Sequence, residues 1–408
     1  MIELAKKFGT PVYILNETKI RDSCRKFKYA LEKKFGSASM VLYASKALCC
    51  GALYRIINSE KLGIDVVSEG ELFTAIVSGF PMEKIHFHGN NKSVSELIMG
   101  IEHNVGRIVV DNFEELKKLI FLSKDYKKKV NILLRIRPGV EVNTHDSVKT
   151  GNSNSKFGFS LNETETVVSM VLASNFLNFK GFHSHIGSQI FEIKSFVDSA
   201  KILIDLCYFT KKKFNFEVEE INLGGGFGIK YVEQDRNFDL QRYMTEISEV
   251  IKSKCKEFDM KVPFIYIEPG RSIVGEAGTT LYTVGCIKKM FNEKIYVIVD
   301  GSMADNPRFA LYGSKYFVEN ITKKDKNCEY DNVTISGKCC ESGDIIAEDV
   351  SIKEPSVGDI LAVHCTGAYN FSMASNYNKL CRPPIVLVKE DGSQELIVKR
   401  QKLEDLIL

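Results

Sequence analysis

Neither sign of charge dominates this sequence. Its 408 residues carry 55 Lys and Arg against 52 Asp and Glu, a formal net charge of +3. That balance offers no electrostatic footprint for nucleic acid or an anionic membrane. Long apolar runs are missing too: stretches such as Ile295–Val299 fall far short of the roughly 20 residues that span a bilayer as helix. The opening MIELAKKFGT has no apolar core of a secretory signal. The 11 cysteines are odd in number and contain no C-x-x-C pair, although Cys49-Cys50 and Cys339-Cys340 are adjacent doublets. Free thiols in a reducing cytoplasm are therefore expected. Internal repeats, low-complexity tracts and Pro/Ser-rich linkers are absent. The lysine clusters Lys127–Lys129 and Lys211–Lys213 are too short for interaction tails and read as solvated helix ends. With 44% hydrophobic residues the chain can bury a large core, which excludes disorder. At about 150 residues per domain, the length predicts two or three domains of a soluble cytoplasmic enzyme.

What is present is alternation. β-like runs at Met40–Tyr43, Ile64–Val67, Ile85–His88, Ile108–Val110, Val130–Ile136, Phe179–Ser184, Glu220–Leu223 and Phe264–Ile267 are separated by helix-length segments. Helical spacing marks Lys19–Phe35, Glu69–Ser78, Glu114–Lys124, Asn162–Ala173, Phe196–Lys213 and Leu240–Phe258. Eight strands alternating with helices predict an α/β fold, a (β/α)8 barrel over residues 17–270, with a doubly wound sheet as the alternative. After about residue 275 the texture changes to short alternating runs, Leu281–Cys286, Ile295–Val299, Val333–Ser336, Ile360–Val363, Ile385–Val388 and Glu395–Val398, punctuated by turn signals such as Gly358-Asp359 and Asp391-Gly392. We expect an all-β domain there, over residues 271–408, joined by a strand from residues 10–16.

In a barrel, chemistry gathers at the C-terminal strand ends. Lys46 ends the first strand, where partial desolvation would free its amine for a Schiff base; the alternative is a solvated strand-end lysine. His183 and His185 point to one face of their strand and read as a metal pair, as structural histidines, or as an imidazole against a flat cofactor with Ser188 on a phosphate. Leu223–Gly228, LGGGFG, offers backbone amides to an anion or makes a tight turn. Glu268–Arg271, EPGR, adds a glycine and a cation after the last strand, and barrels commonly bind phosphate with these two final loops. The β-domain contributes DNPRFALYG with Arg308 and Tyr312, CCESGD at Cys339–Asp344, and GAYNFSMASNYN at Gly367–Asn378.

Together YASKA, FHGNNKS, SKFGF, HSHIGSQ, NLGGGFG, EPGR and CESGD resemble the alanine-racemase-like, fold-type III decarboxylases that use pyridoxal 5'-phosphate (PLP), and within them the branch acting on meso-2,6-diaminopimelate. The resemblance runs from Thr10 to Asn378. It implies a lyase of lysine biosynthesis releasing L-lysine and carbon dioxide. By that resemblance Lys46 would hold PLP covalently, and His185 would stack on its ring. Ser188, Gly225, Gly226, Pro269, Gly270 and Arg271 would surround the phosphate. Glu268 would pair with the ring nitrogen, with Asp65 and Glu69 matching an acidic stretch nearby. Arg271, Arg308, Tyr312 and Glu341 match substrate positions, Tyr369 would reach the cofactor or the substrate, and Cys340 matches the proton-donating thiol. Cys340 and Glu341 would come from a second copy, making a homodimer. The lysine motif SKAL, the extra Cys339 and Glu69 depart from the family pattern without removing a reacting group. A racemase, a decarboxylase of another amino acid, a metal-dependent barrel hydrolase and an inactive binding homologue are the competing readings.

Overall fold

The computed structural model describes residues 1–140, 155–291, 294–323 and 329–407. They pack as two compact units. One holds residues 23–228 and 237–270, and the other holds 1–22, 229–236 and 271–408.

The first unit is a closed parallel barrel. Counting from β1 at Val12–Asn16 in the other unit, its strands are β2 Ser39–Ala44, β3 Gly63–Val66, β4 Ile85–Phe87, β5 Arg107–Val110, β6 Val130–Arg135, β7 Leu177–His183, β8 Glu220–Asn222 and β9 Phe264–Ile267. Closure comes from β2 pairing with β9, for example Met40 opposite Tyr266. The strands read as near-continuous apolar runs because helices cover the barrel outside and side chains fill it inside. Helix starts are set by local chemistry. Ser93 accepts from the Glu96 amide while Glu96 reaches back to Ser93, and Asn112 caps Phe113–Asp125 through the Glu115 amide. Gly63 lets β3 in: a Cβ there would lie 2.5 Å from both the Lys84 carbonyl and Leu42. At the strands' N-terminal end, Arg107 on β5 and Glu220 on β8 form a two-pronged pair whose Nε–Oε2 arm is 2.7 Å.

The second unit is a nine-stranded sheet. Its remaining strands are β10 Gly278–Lys289, β11 Ile295–Val299, β12 Val318–Asn320, β13 Tyr330–Ser336, β14 Ile345–Lys353, β15 Ile360–His364, β16 Ile385–Val388 and β17 Gln394–Val398. The strand expected at residues 10–16 joins it: β1 lies antiparallel to β10 and parallel to β16. Residues 229–236, which interrupt the barrel segment in sequence, pack with this unit, and Ile229 and Tyr231 enter its core beside Tyr282, Tyr316 and Ile335. No helix among the described residues is long and apolar enough to cross a membrane.

Candidate active site

The barrel's C-terminal strand ends carry an unusual density of polar groups. A cavity of about 300 Å³ opens there, lined by Lys46, Asp65, Val67, His88, Gly89, Asn90, Arg135, Phe157, His183, His185 and Glu268. Its size sits at the lower end of small-molecule pockets.

Glu268 organises this cavity. It follows β9, is 5% exposed, and accepts three hydrogen bonds: from His88 Nε2 at 2.8 Å, His183 Nε2 at 3.2 Å and Asn222 Nδ2 at 2.6 Å. Burial pushes a carboxyl toward neutrality, but the electrostatic attraction and hydrogen bonds of the His88 and His183 N–H groups override it and hold Glu268 well below the usual carboxylate range. The same burial depresses both imidazoles, His183 to about 3, so each is a neutral donor near pH 7. Asp65, at the end of β3, is driven up by burial and by the Glu268 charge while Lys46 pulls it down. One oxygen of Asp65 accepts the Ser45 amide at 3.2 Å, which ties β3 to the Lys46 turn.

Lys46 sits on the single 3-10 turn Ser45–Ala47 directly after β2. The desolvation expected of it is not found, because Lys46 is exposed at the cavity mouth. His185 is half-buried, and its Nδ1 accepts the Gly225 amide at 3.1 Å. A neutral His185 therefore carries its proton on Nε2. The three glycines are both turn and cradle. Gly224 and Gly226 have φ of 70° and 108°, and a Cβ on Gly225 would stand 2.1 Å from the Glu268 carbonyl. Since the Gly224 amide goes to Asn222 and that of Gly225 to His185, Gly226 N–H is the turn's remaining donor. Ser188 is half-buried, whereas Pro269 and Gly270 are buried against Ala44. Glu69 does not belong to the cavity: it is exposed at the first position of the helix Glu69–Val77. Glu71 is the half-buried acid there, accepting the Val67 amide at 2.8 Å and raised to about 7 by desolvation.

His86, His88 and Glu268 bring ligand-type atoms within 4.8 Å of one another. Both Glu268 oxygens already accept hydrogen bonds, so this is a braced carboxylate rather than an open coordination shell.

In the sheet unit, buried Arg271 and Arg308 share one tyrosine. Arg271 Nη1 donates to Tyr231 Oη at 2.6 Å, and the Arg308 guanidinium lies 4.8 Å from the Tyr231 ring centre. Arg271 also covers the Tyr369 ring at 4.6 Å, with Tyr369 held at φ 60°, rare for a non-glycine residue. Arg308 Nη1 donates to Tyr316 Oη at 3.1 Å, which in turn donates to Asn370 Oδ1 at 3.2 Å. Arg308 is 5% exposed, its Nε has no hydrogen-bond partner among the described residues, and the groups acting on its charge are tyrosines rather than carboxylates. Tyr312 follows Arg308 by one helical turn, at the end of Arg308–Tyr312, and is half-buried. Cys340 and Glu341 lie exposed in the β13–β14 connection.

The chain matches the model of the pyridoxal-dependent decarboxylase, pyridoxal-binding domain over residues 17–275. It is 46% identical over 404 residues to a diaminopimelate decarboxylase of Bacillus methanolicus, covering 98% of this chain and 93% of the relative. The chain belongs to the diaminopimelate decarboxylase family. A diaminopimelate decarboxylase of Bacillus subtilis is likewise 46% identical, over 99% of this chain and 92% of its own. The crystal structure of M. jannaschii diaminopimelate decarboxylase with L-lysine superposes with a TM-score of 0.93 at 36% identity, over all of this chain and 93% of that one. The barrel cavity fits the family's cofactor. A carboxylate held ionised faces it, as a protonated ring nitrogen requires, and a lysine stands at its mouth.

Sequence reading missed the carboxylate's braces, His88 and Asn222, as well as Arg135, Tyr231 and Tyr316. Arg135 was legible in principle, because the apolar strand Val130–Arg135 ends on a buried guanidinium, here 4.3 Å from the Phe157 ring centre.

Proposed function

We propose that this chain is a PLP-dependent decarboxylase converting meso-2,6-diaminopimelate to L-lysine and carbon dioxide, the last step of lysine biosynthesis by the diaminopimelate pathway. The observation that carries the substrate choice is Arg308: a buried guanidinium with tyrosines around it and an unused Nε. A buried cation without an anion is costly, and a substrate carboxylate relieves that cost. Ornithine and lysine have no distal carboxylate to do so.

When bound, the cofactor supplies an electrophilic carbon for an amine and an electron sink for the pair left by departing carbon dioxide. Lys46 Nζ would hold the cofactor covalently. Glu268 would pair with the ring nitrogen and keep it protonated, while His88, His183 and Asn222 keep the carboxylate from turning. His185 would cover the ring, and Ser188, Gly225, Gly226, Pro269, Gly270 and Arg271 would surround the phosphate. Because the Gly225 amide is engaged by His185, Gly226 is the glycine donor we favour. Arg308, with Arg271, Tyr312, Tyr369 and Glu341, binds the substrate's far end, with Glu341 on its amine. Cys340 Sγ returns a proton to the α-carbon. Exposed Cys340 and Glu341 serve the site of a second copy, which makes the active species a homodimer, and the setting is the cytoplasm.

The test is turnover of the PLP-loaded protein with meso-diaminopimelate, L-lysine and L-ornithine in parallel. Lysine from diaminopimelate alone is expected; equal turnover of ornithine would overturn the substrate. Tyr231→Phe tests the arginine pair separately. It removes the acceptor for Arg271 and keeps the ring. A hydrogen bond to a charged group is worth about 1.5–3 kcal/mol, so KM for diaminopimelate is expected to rise roughly tenfold or more while kcat changes less. Steady-state kinetics decides, and an unchanged KM would remove Tyr231 from the argument.

A further inference from the structure

The residue that carries the proton-donating thiol lies on an exposed turn, and exposed turns position side chains poorly unless something holds the backbone. Two side chains hold this one. Asp344, 2% exposed, accepts the Cys339 amide at 2.7 Å on one oxygen and the Met303 amide at 2.6 Å on the other. Its own amide donates to the Glu341 carbonyl at 3.1 Å, closing the turn. Gly337 leaves room for that carboxylate, since a Cβ there would stand 2.5 Å from Asp344 Oδ2. The next amide is held from elsewhere in the chain: Cys340 N–H donates to Asn378 Oδ1 at 2.7 Å, across 38 residues of sequence. Asn378 is itself in the left-handed region, φ 50° and ψ 25°, which asparagine tolerates better than most residues and which aims its short amide back at the turn. Successive amides, Cys339 and Cys340, are thus fixed by two acceptors from different segments.

We infer that Asn378 is a positioning residue for the Cys340 thiol: by fixing the Cys340 amide it sets the direction of the bond that carries Sγ toward the α-carbon. This rests on the proposed role of Cys340 as proton donor. The consequence is chemical rather than merely structural. With the cofactor as electron sink, the pair left by carbon dioxide would be open to a proton at two places, the substrate's α-carbon and the cofactor carbon that bore the aldehyde. A proton at the α-carbon gives lysine. A proton at the cofactor carbon instead, followed by addition of one water, releases the substrate as an aldehyde and leaves its nitrogen on the cofactor as pyridoxamine phosphate. No external oxidant or reductant enters, and each such event removes one active site from turnover.

The experiment compares Asn378→Gly, Asn378→Asp and Cys340→Ala in the PLP-loaded full chain. Asn378 is exposed, and glycine keeps its left-handed backbone, so the first variant removes the acceptor alone. Lysine formation and pyridoxamine phosphate are quantified per turnover by chromatography, and Cys340 alkylation by iodoacetamide is followed by peptide mass spectrometry. A positioned general acid is worth about 10²–10⁴-fold. Asn378→Gly is expected to lose roughly 10–100-fold in lysine formation, to raise the pyridoxamine phosphate fraction at least tenfold, and to change the Cys340 alkylation rate. Asn378→Asp, which keeps an acceptor, is expected to stay within about threefold of the parent in all three. Parent-like behaviour of Asn378→Gly beside an impaired Cys340→Ala overturns the positioning role and leaves the donor in place. Equal impairment of both Asn378 variants with no added pyridoxamine phosphate overturns it as well. Parent-like lysine formation by Cys340→Ala overturns the donor assignment itself, and the inference with it.

Discussion

Replacing Lys46 with alanine is expected to lower kcat on meso-diaminopimelate by roughly 10³-fold or more, with little change in Tm. The two halves of that expectation have separate physical grounds. The turn Ser45–Ala47 is held by its backbone, through Ser45 N–H to Asp65, and the Lys46 side chain is exposed, so its loss opens no cavity in the core. Activity, in contrast, depends on the amine, because among the described residues lining the barrel cavity Lys46 alone carries an amine. Borohydride reduction of the parent followed by peptide mapping should place the cofactor on Lys46. The alanine variant should release it on gel filtration. A variant that kept both the attached cofactor and more than a tenth of parent kcat would sink the assignment. Thermal melting by circular dichroism checks the stability half: a drop of many degrees would mean that Lys46 supports the fold and that the activity loss is indirect.

The ordering of elements was legible because the barrel repeats one simple instruction eight times. Runs such as Phe264–Ile267 are observed as strands without adjustment, and others shift by a residue or two. Two nine-residue helices, Gly51–Ser59 and Val94–Glu102, were passed over, although the second is announced by Ser93 and Glu96 in capping-box spacing. Strand β14 escaped for a different reason. Its middle carries Glu348 and Asp349, the latter at φ 54°, and its register with β13 shifts, so no clean alternation survives in the sequence. The three-residue β12 is shorter than any pattern can register.

The candidate site divides along the same line. Residues that end a strand or sit in a glycine-rich turn could be picked out one by one, since strand ends are where barrels place chemistry. What binds them to each other could not. Glu268 is braced by residues 180, 85 and 46 positions away in sequence, and only closure of the barrel turns those separations into hydrogen bonds. Tyr231 is hidden still more deeply. It lies in an eight-residue stretch, 229–236, that reads as a barrel loop and packs with the sheet unit, where Asp235 accepts its amide at 2.9 Å. Glu69 shows the converse. Its carboxylate groups with Asp65 in sequence, yet the helix start turns it outward, and half-buried Glu71 is the acid that accepts the Val67 amide.

Arg308→Met is expected to separate binding from stability. In the parent, the guanidinium is 5% exposed and packed against tyrosines, and among the described residues its Nε has no partner and no carboxylate balances its charge. Truncating one partner of a buried, hydrogen-bonded charge pair costs about 2–5 kcal/mol of binding, which is roughly 30- to 5,000-fold in kcat/KM for meso-diaminopimelate. The same change removes an unbalanced charge and keeps an apolar chain of similar length, so Tm is expected to be no lower than the parent's. A substrate without a distal carboxylate has no partner for Arg308 and should lose far less, so the preference for diaminopimelate over L-lysine should shrink by most of the same factor. Arg308→Lys keeps the charge but not the planar fork, and should fall between the two. Competition kinetics with both substrates decides the matter. If the two substrates lose activity in equal proportion, Arg308 supports the sheet unit rather than reading the carboxylate. If Tm drops by several degrees as activity falls, its stacking on Tyr231 is structural. A collapse of preference with Tm intact leaves substrate recognition as the reason this charge is buried.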